Sequence, residues 1–424
     1  MRRSIRLLET RWALAVLATA LLVGCSAAQR PRPSSEPPPA APEQPSEPEA
    51  RGSEGAMSPE ASTLHAAGVE AFGKGDLKTA AEKFERAIAL DHGAVPALVG
   101  LASVQERRGE PAKALESYQA ALAIAPDYGP ALMGEVRLLL ATGRTAEADA
   151  LVRAAVAKFP DDAAVLTARA EVSSVRGDSV TAQQLAQRAL KKDPDYRPAM
   201  LTLARDHYRA RRLDLALYTL AAILDGYGQE NPPRDKNNAD ARLLRALIYG
   251  ERGRRKAAMD ELAAALEARP DLVEARLLLS AYMLEAGNAA EARPILEKAL
   301  EYDPANVFVH LNLGDAYRLL GKPGDALEHL QWVARQDETM AMVHYNLGLV
   351  YLLSTDLPGV SEAEAIELAI QSFEHFKKLE PRAARGAGDD ADDLLARARN
   401  KKAIIEALAA QPEEPPAAEG TETP

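Results

Sequence analysis

An alanine returns on a fixed beat along this chain, at Ala80, Ala114, Ala148, Ala182, Ala216, Ala258, Ala292, Ala326 and Ala369, and the usual interval is 34 residues. Numbering each unit from one to thirty-four places all nine alanines at position 20. Position 8 is small in eight units (Gly68, Ala102, Ala170, Ala204, Ala246, Ser280, Gly314, Gly348), with Val136 as the exception. Position 15 is glycine in seven: Gly75, Gly109, Gly143, Gly177, Gly253, Gly287 and Gly321. A period of this length constrains the fold more tightly than any composition. Each unit is one small supersecondary element with no core of its own, so it must stack on the next.

The pattern inside a unit predicts two helices. Positions 4, 7, 8 and 11 fall on one face of a first helix, and positions 20, 24 and 27 on one face of a second. Small residues at 8 and 20 let the two approach closely. Glycine at 15 supplies the left-handed residue that ends the first helix, and prolines such as Pro126, Pro160, Pro194, Pro270, Pro304 and Pro381 stop the second. The expectation is an all-α superhelical solenoid of about nine helix-turn-helix repeats over residues 61–381.

Two insertions break the beat. Residues 231–238, NPPRDKNN, separate repeats 1–5 (61–230) from repeats 6–9 (239–381), and the repeat before them has Arg211 where glycine is expected. The last repeat gains nine residues around STDLPGVSEAEAIEL before Ala369 restores the register. Both are expected as surface loops, the alternatives being a bend between the two groups of repeats or a docking lip. Residues 382–410 carry Leu394, Leu395, Ala398, Ile405 and Leu408, which are expected to close the open end as a capping helix. Residues 411–424, QPEEPPAAEGTETP, read as a disordered acidic tail.

The start of the chain has another character. Arg2, Arg3, Arg6 and Arg11 precede an apolar run from Trp12 to Val23 that is too short to span a bilayer comfortably. Basic start, short apolar core and small residue read as a secretory signal over residues 1–24. The order Leu22-Val23-Gly24-Cys25 resembles the lipobox of bacterial lipoproteins, and the resemblance implies that the sulfur of Cys25, the one cysteine in the chain, carries a diacylglycerol. Ser26 behind it implies the outer membrane, lipid-anchored and facing the periplasm. Residues 25–60 are rich in proline, alanine, serine and glutamate and read as a tether. Fully extended, the 32 residues from Ser26 to Met57 would reach about 100 Å at about 3.1 Å per residue. Loss of residues 1–24 takes the net charge from −11 to −14, by removal of four arginines and one glutamate. An acidic chain is a poor partner for nucleic acid, and the acyl group is the expected source of membrane attachment.

With Leu64 and Gly68 opening the first unit, Tyr317 and Tyr351 at position 11, and Phe84, Tyr118 and Phe373 at position 24, the units resemble the tetratricopeptide repeat. That resemblance implies a scaffold for protein partners and leaves the partner open. No HExxH helix, GxSxG elbow, phosphate-binding glycine loop or CxxC pair occurs in the sequence. No enzyme activity, metal or cofactor is expected, the remote alternative being an enzyme with an unrecognised site. His310, His329, His344 and His375 cluster in the last two repeats, with His310 and His344 both at position 4, and they are expected to pack rather than to bind metal. The runs RARRLD and ERGRRKAAMDE are expected as solvated cations near helix ends.

In tetratricopeptide solenoids positions 2, 5 and 9 of the first helix line the concave groove. Upstream, position 9 is polar: Ser103, Arg137, Glu171 and Arg205. Downstream, the lining becomes Leu243 and Leu247, Leu277 and Ala281, Leu311 and Asp315, then Tyr345 and Leu349. Such a row facing water marks a surface for an apolar or amphipathic segment of a partner from the cell envelope. Asn312 and Asn346 match the asparagines that hold peptide backbone in carboxylate-clamp repeats. Leucines stand where that clamp needs lysine, so a free C-terminal carboxylate is not the expected ligand. The alternative is that the chain's own C-terminal helix or tail fills the groove. The alanine- and arginine-rich composition, the nine-repeat length and the YNLGLVYLLS…ADDLLARARNKK ending look most like the gliding-motility lipoproteins of myxobacteria. Pilotins of pilus secretins, outer-membrane assembly partners and adaptors of cell-wall enzymes remain open.

Overall fold

The structure, a computed structural model, describes residues 57–380 and 390–410. The signal segment, Cys25 and most of the tether, residues 381–389 and the acidic tail lie outside the described residues. The described residues form nineteen helices. The first two repeats are α1 (Pro59–Gly73) with α2 (Leu77–Leu90), and α3 (Val95–Arg107) with α4 (Pro111–Ile124). The next two are α5 (Gly129–Ala141) with α6 (Thr145–Lys158), and α7 (Ala163–Val175) with α8 (Ser179–Lys192). Then come α9 (Arg197–Arg209) with α10 (Leu213–Leu224), α11 (Ala239–Glu251) with α12 (Arg255–Ala268), and α13 (Val273–Ala286) with α14 (Ala289–Tyr302). The last repeats are α15 (Val307–Leu319) with α16 (Pro323–Gln336), and α17 (Ala341–Leu353) with α18 (Glu362–Leu379), followed by α19 (Ala391–Ala409). The chain is thus an all-α stack of paired helices with a final single helix. It divides into two compact units, one ending at Ala275 and one beginning at Arg276, with the division inside α13.

The helix register follows the sequence period closely. From repeat 2 onward every first helix starts at position 1, and in repeats 1–8 every second helix starts at position 17. Side-chain caps fix many of these starts. Asp76, Asp162, Asp178, Asn238, Asn306 and Ser361 each accept a hydrogen bond from backbone N–H in the first turn. All seven position-15 glycines have φ between 69° and 86°, and in repeat 5 Arg211 takes the same role at φ 61°. A left-handed conformation costs a non-glycine residue about 1–2 kcal/mol. The Arg211 guanidinium sits 2.9 Å from Glu251 on the following repeat.

Close packing explains the small residues. All nine position-20 alanines are fully buried. The Phe84 ring lies between Gly68 of its own repeat and Gly100 of the next, and a Cβ at either glycine would come within 2.7 Å of it. Tyr118 fills the same place against Gly134, and Phe373 against Gly348. An aromatic at position 24 therefore demands a missing Cβ opposite it.

The insertion at 231–238 lies inside the first unit, fastened to its neighbours. Asp235 N–H donates to Ile223 O at 2.8 Å, Arg234 Nε reaches Asp195 at 3.1 Å, and Arg197 pairs with Asp235 at 3.4 Å. Tyr227 stacks on the exposed Tyr218 at 5.0 Å and its hydroxyl donates to the Tyr218 carbonyl. In repeat 9 part of the nine-residue gain lengthens the second helix, which has 18 residues in place of the 14 of α16. The remaining loop tucks Leu357 into the core of its unit.

Candidate partner-binding surface

The apolar row expected to face water does not do so. Leu247, Leu277, Tyr345, Asn346 and Leu349 are all at most 5 % exposed, and Leu243, Leu311 and Asn312 are half-buried. At the C-terminal end the cause is visible. Leu394, Leu395 and Ala398 of α19 join one core cluster with Tyr345, Leu349, Phe373 and Phe376. The Tyr345 hydroxyl donates to Asp390 at 2.7 Å, at the start of α19. Ion pairs Lys377–Asp392, Arg399–Glu374 and Lys402–Glu367, at 2.5–2.6 Å, run along the same contact. Of the five apolar residues expected in the cap, Leu394, Leu395 and Ala398 are buried and Ile405 partly so, while Leu408 stays 62 % exposed because the last turns of α19 extend past the core.

The upstream half presents charge instead, and much more of it than position 9 alone. Arg137 places one terminal nitrogen 2.8 and 3.0 Å from the two oxygens of Glu106, which also accepts from the Tyr118 hydroxyl. Glu171 accepts from the Thr202 hydroxyl at 2.7 Å and lies 3.5 Å from Arg209. Arg269 donates to Asp240 at 2.9 Å. Arg107, at the end of α3, donates to Asp271 at 2.8 Å, across 164 residues of sequence. It also stacks on the Phe72 ring at 3.5 Å and donates to Phe72 O at 3.2 Å. These contacts all lie within the first unit, so the stack curves until the end of α3 in repeat 2 meets the end of repeat 6.

Electrostatics bear out that convergence. Surrounding protein works to raise the Asp240 carboxyl, yet the cations of Arg269, Arg205, Arg137 and Arg107 outweigh it and hold the group below its ordinary range. Those four arginines come from four different places along the repeats. Burial, then the neighbouring Arg269, pushes the Arg107 guanidinium down to about 10 against the pull of Asp271, Asp240 and Glu106, so it stays charged at neutral pH. Glu171 resists its own burial through Arg205 and Arg209 and is lowered. Arg137 keeps 47 % of its side chain exposed, so water reaches this charged basin.

Sequence reasoning saw Ser103, Arg137, Glu171 and Arg205 as polar groove lining and missed Arg107, Asp240, Arg269 and Asp271. One signal was present: position 2, proline at Pro96, Pro130 and Pro198, becomes acidic at Asp240. The arginine runs are not simply solvated either. Arg252 pairs with Asp214 at 2.7 Å, and Arg212 binds Ser179 and Asp206. Asp206 is almost fully buried, accepting from Ser174, Ser179 and Gln183 at 2.6–2.9 Å, so this cluster ties repeat 4 to repeat 5.

The histidines of the last repeats form a repeated packing device. His310 Nε2 lies 3.1 Å from Pro304 O, and His344 Nε2 lies 2.8 Å from Glu338 O, each reaching back to the same point of the preceding repeat. Each ring stacks on position 26, His310 on Trp332 at 3.9 Å and His344 on His375 at 4.0 Å. The carbonyl fixes His310 as an Nε2–H donor, so when both rings are neutral His329 Nδ1–H donates to His310 Nδ1 at 2.9 Å. Among the described residues no group of three or more His, Cys, Asp or Glu is placed to hold a metal ion.

This packing has a pH consequence. Burial is the largest cause that lowers His329, His344, His65 and His207, with His310 and His375 adding to it at His329 and His344. Between the lowered folded values and the ordinary value near 6.5, the unfolded chain binds more protons than the folded one. Stability is therefore complete above about pH 6.5 and falls as pH drops through the window below it. Thermal melting followed by circular dichroism from pH 7.5 to 5.5 is expected to show a falling midpoint, with a shallower fall in His329→Gln. A flat midpoint in the wild type would contradict it.

Two family models, both described as tetratricopeptide repeat, match this chain: one at residues 106–172 and 283–347, the other at 65–129 and 243–307. Together they span residues 65–172 and 243–347, half of the 424 residues. No curated protein matches. Among solved structures, one titled crystal structure of the APC/C hetero-tetramer Cut9-Hcn1 superposes with a TM-score of 0.55 at 16 % identity. That match covers 76 % of this chain and 59 % of the other, so this chain spans about three fifths of the length of its neighbour. A tetratricopeptide repeat protein from Parabacteroides merdae ATCC 43184 aligns over 81 % of this chain and all of its own, at 17 % identity and a TM-score of 0.31. Repeat period, helix register and family models agree, and the chain belongs to the tetratricopeptide-repeat proteins.

Proposed function

We propose that this tetratricopeptide-repeat chain is a non-enzymatic scaffold of a bacterial cell envelope, held to the outer membrane through an acyl group on Cys25 and facing the periplasm. The scaffold part rests on one observation. The repeats of the first unit curve so that charged side chains from repeats 2 to 6 converge on one water-accessible face, a surface built for contact rather than for a reaction. The anchor part rests on the sequence Leu22-Val23-Gly24-Cys25 and the proline-rich segment behind it. Among the described residues no helix is long and apolar enough to cross a membrane. The machine we favour is a gliding-motility complex, on the likeness of composition, repeat number and C-terminal sequence to the motility lipoproteins.

Two measurements test this. Cys25→Ala, exported and cleaved at another site, is expected to move the protein from the membrane fraction to the soluble periplasm. A wild type that is soluble, or a variant that still sediments with outer membrane in high salt, removes the anchor. Crosslinking in cells followed by mass spectrometry is expected to recover motility-complex proteins. A secretin in their place would favour a pilotin, cell-wall enzymes would favour an adaptor, and recovery of no envelope protein would count against the scaffold reading itself.

A further inference from the structure

We infer that the charged basin of the first unit is the docking site for an extended partner segment bearing side-chain carboxylates, with Arg205 and Arg137 as its anchors. This deepens the scaffold reading and rests on it. Both arginines stand at position 9, the concave row, in repeats 5 and 3. Arg205 is half-buried and, among the described residues, has no ion pair within 4 Å, although Glu171 and Asp240 both feel its charge. Those two carboxylates are already engaged, Glu171 by Thr202 and Arg209, and Asp240 by Arg269. Arg137 spends one terminal nitrogen on Glu106 and leaves the rest of its fork toward water.

The charge balance selects the sign of the partner. Arg107, Arg137, Arg205, Arg209 and Arg269 face Glu106, Glu171, Asp240 and Asp271, so the basin carries an excess of one cation on a chain whose net charge is −11. A polyanion such as nucleic acid is repelled by that total charge, whereas a short acidic segment meets the local field first. Carboxylate is the group these arginines already hold. Arg107 on Asp271, Arg269 on Asp240 and Arg137 on Glu106 show the pairing three times at 2.8–3.0 Å. An extended backbone suits a concave face that offers one anchor per repeat.

The test uses fluorescence anisotropy with the full chain and three labelled ten-residue peptides in which alanine alternates with glutamate, glutamine or lysine. The glutamate peptide is expected to bind at low ionic strength, to weaken in 0.5 M salt, and to lose about tenfold in affinity with Arg205→Gln or with Arg137→Gln. Arg205→Lys should retain part of the binding, and circular dichroism should show unchanged helix in each variant. Equal binding of the glutamine peptide, preference for the lysine peptide, no binding of the glutamate peptide by wild type, or indifference to both glutamine substitutions would each overturn the inference. Cellular crosslinking separates the two levels. Partners that survive Arg205→Gln with Arg137→Gln leave the scaffold standing and reject the basin as its docking site.

Discussion

Replacing Asp271 with alanine is expected to destabilise the first unit by about 3–5 kcal/mol, the usual cost of removing one member of a buried ion pair. The Asp271 side chain is 2 % exposed and that of Arg107 is 16 %, so water compensates little of either charge. The substitution strands the guanidinium against the Phe72 ring, where, among the described residues, the Phe72 carbonyl is its remaining hydrogen-bond acceptor. It also removes the contact that holds the end of repeat 2 to the segment before α13. Urea unfolding followed by circular dichroism measures the loss, and hydrogen exchange should locate it first around residues 72–107 and 269–272. Arg107→Met combined with Asp271→Leu should restore most of the stability, since a well-packed apolar pair of similar volume often equals a buried ion pair. A loss below about 1 kcal/mol in the single variant would mean that the pair behaves as a solvated one.

That ion pair marks the boundary of what the sequence made legible. The period, the caps and the left-handed glycines are local, so Ala258, Gly253 or Asn238 could each be placed from neighbours within one unit. The nine alanines imply a close helix approach inside each hairpin, and all nine are buried. Arg107 meeting Asp271 depends instead on the small rotation between successive repeats, summed over several of them. A 34-residue pattern does not encode that sum, so the basin is not legible in the sequence. The apolar row failed for a related reason. Position 5 or 9 tells which way a side chain points and not what covers it, and Tyr345 and Leu349 are covered by a helix that lies outside the repeat pattern. Leu277, 3 % exposed, illustrates the consequence. Leu277→Glu with Leu311→Glu would bury a carboxylate and perturb folding, so it cannot serve as a clean test of partner capture.

Phe373→Ala is expected to cost about 3–5 kcal/mol, the range for emptying a buried aromatic site. The ring is fully buried, meets Tyr345 edge-on at 6.1 Å between centroids, and belongs to the cluster on which α19 packs. Because stability in a repeat stack is roughly a sum of local terms, the damage should stay in repeats 8 and 9 and the cap, leaving repeats 1 to 6 unaffected. Gly348 provides a second test of the same contact. A Cβ there would fall 2.7 Å from the Phe373 ring, so Gly348→Ala alone should destabilise by overpacking, typically about 1–3 kcal/mol. Once the ring is gone the clash is gone, and alanine then fills part of the cavity and improves helix propensity by about 1 kcal/mol over glycine. The double variant should therefore be more stable than Phe373→Ala, and the double-mutant cycle should give a large coupling of opposite sign to the single losses. Denaturant titration combined with hydrogen exchange across residues 341–379 and 391–409 measures both quantities. Additive losses in the cycle would show that glycine at position 8 is kept for some reason other than the aromatic ring at position 24.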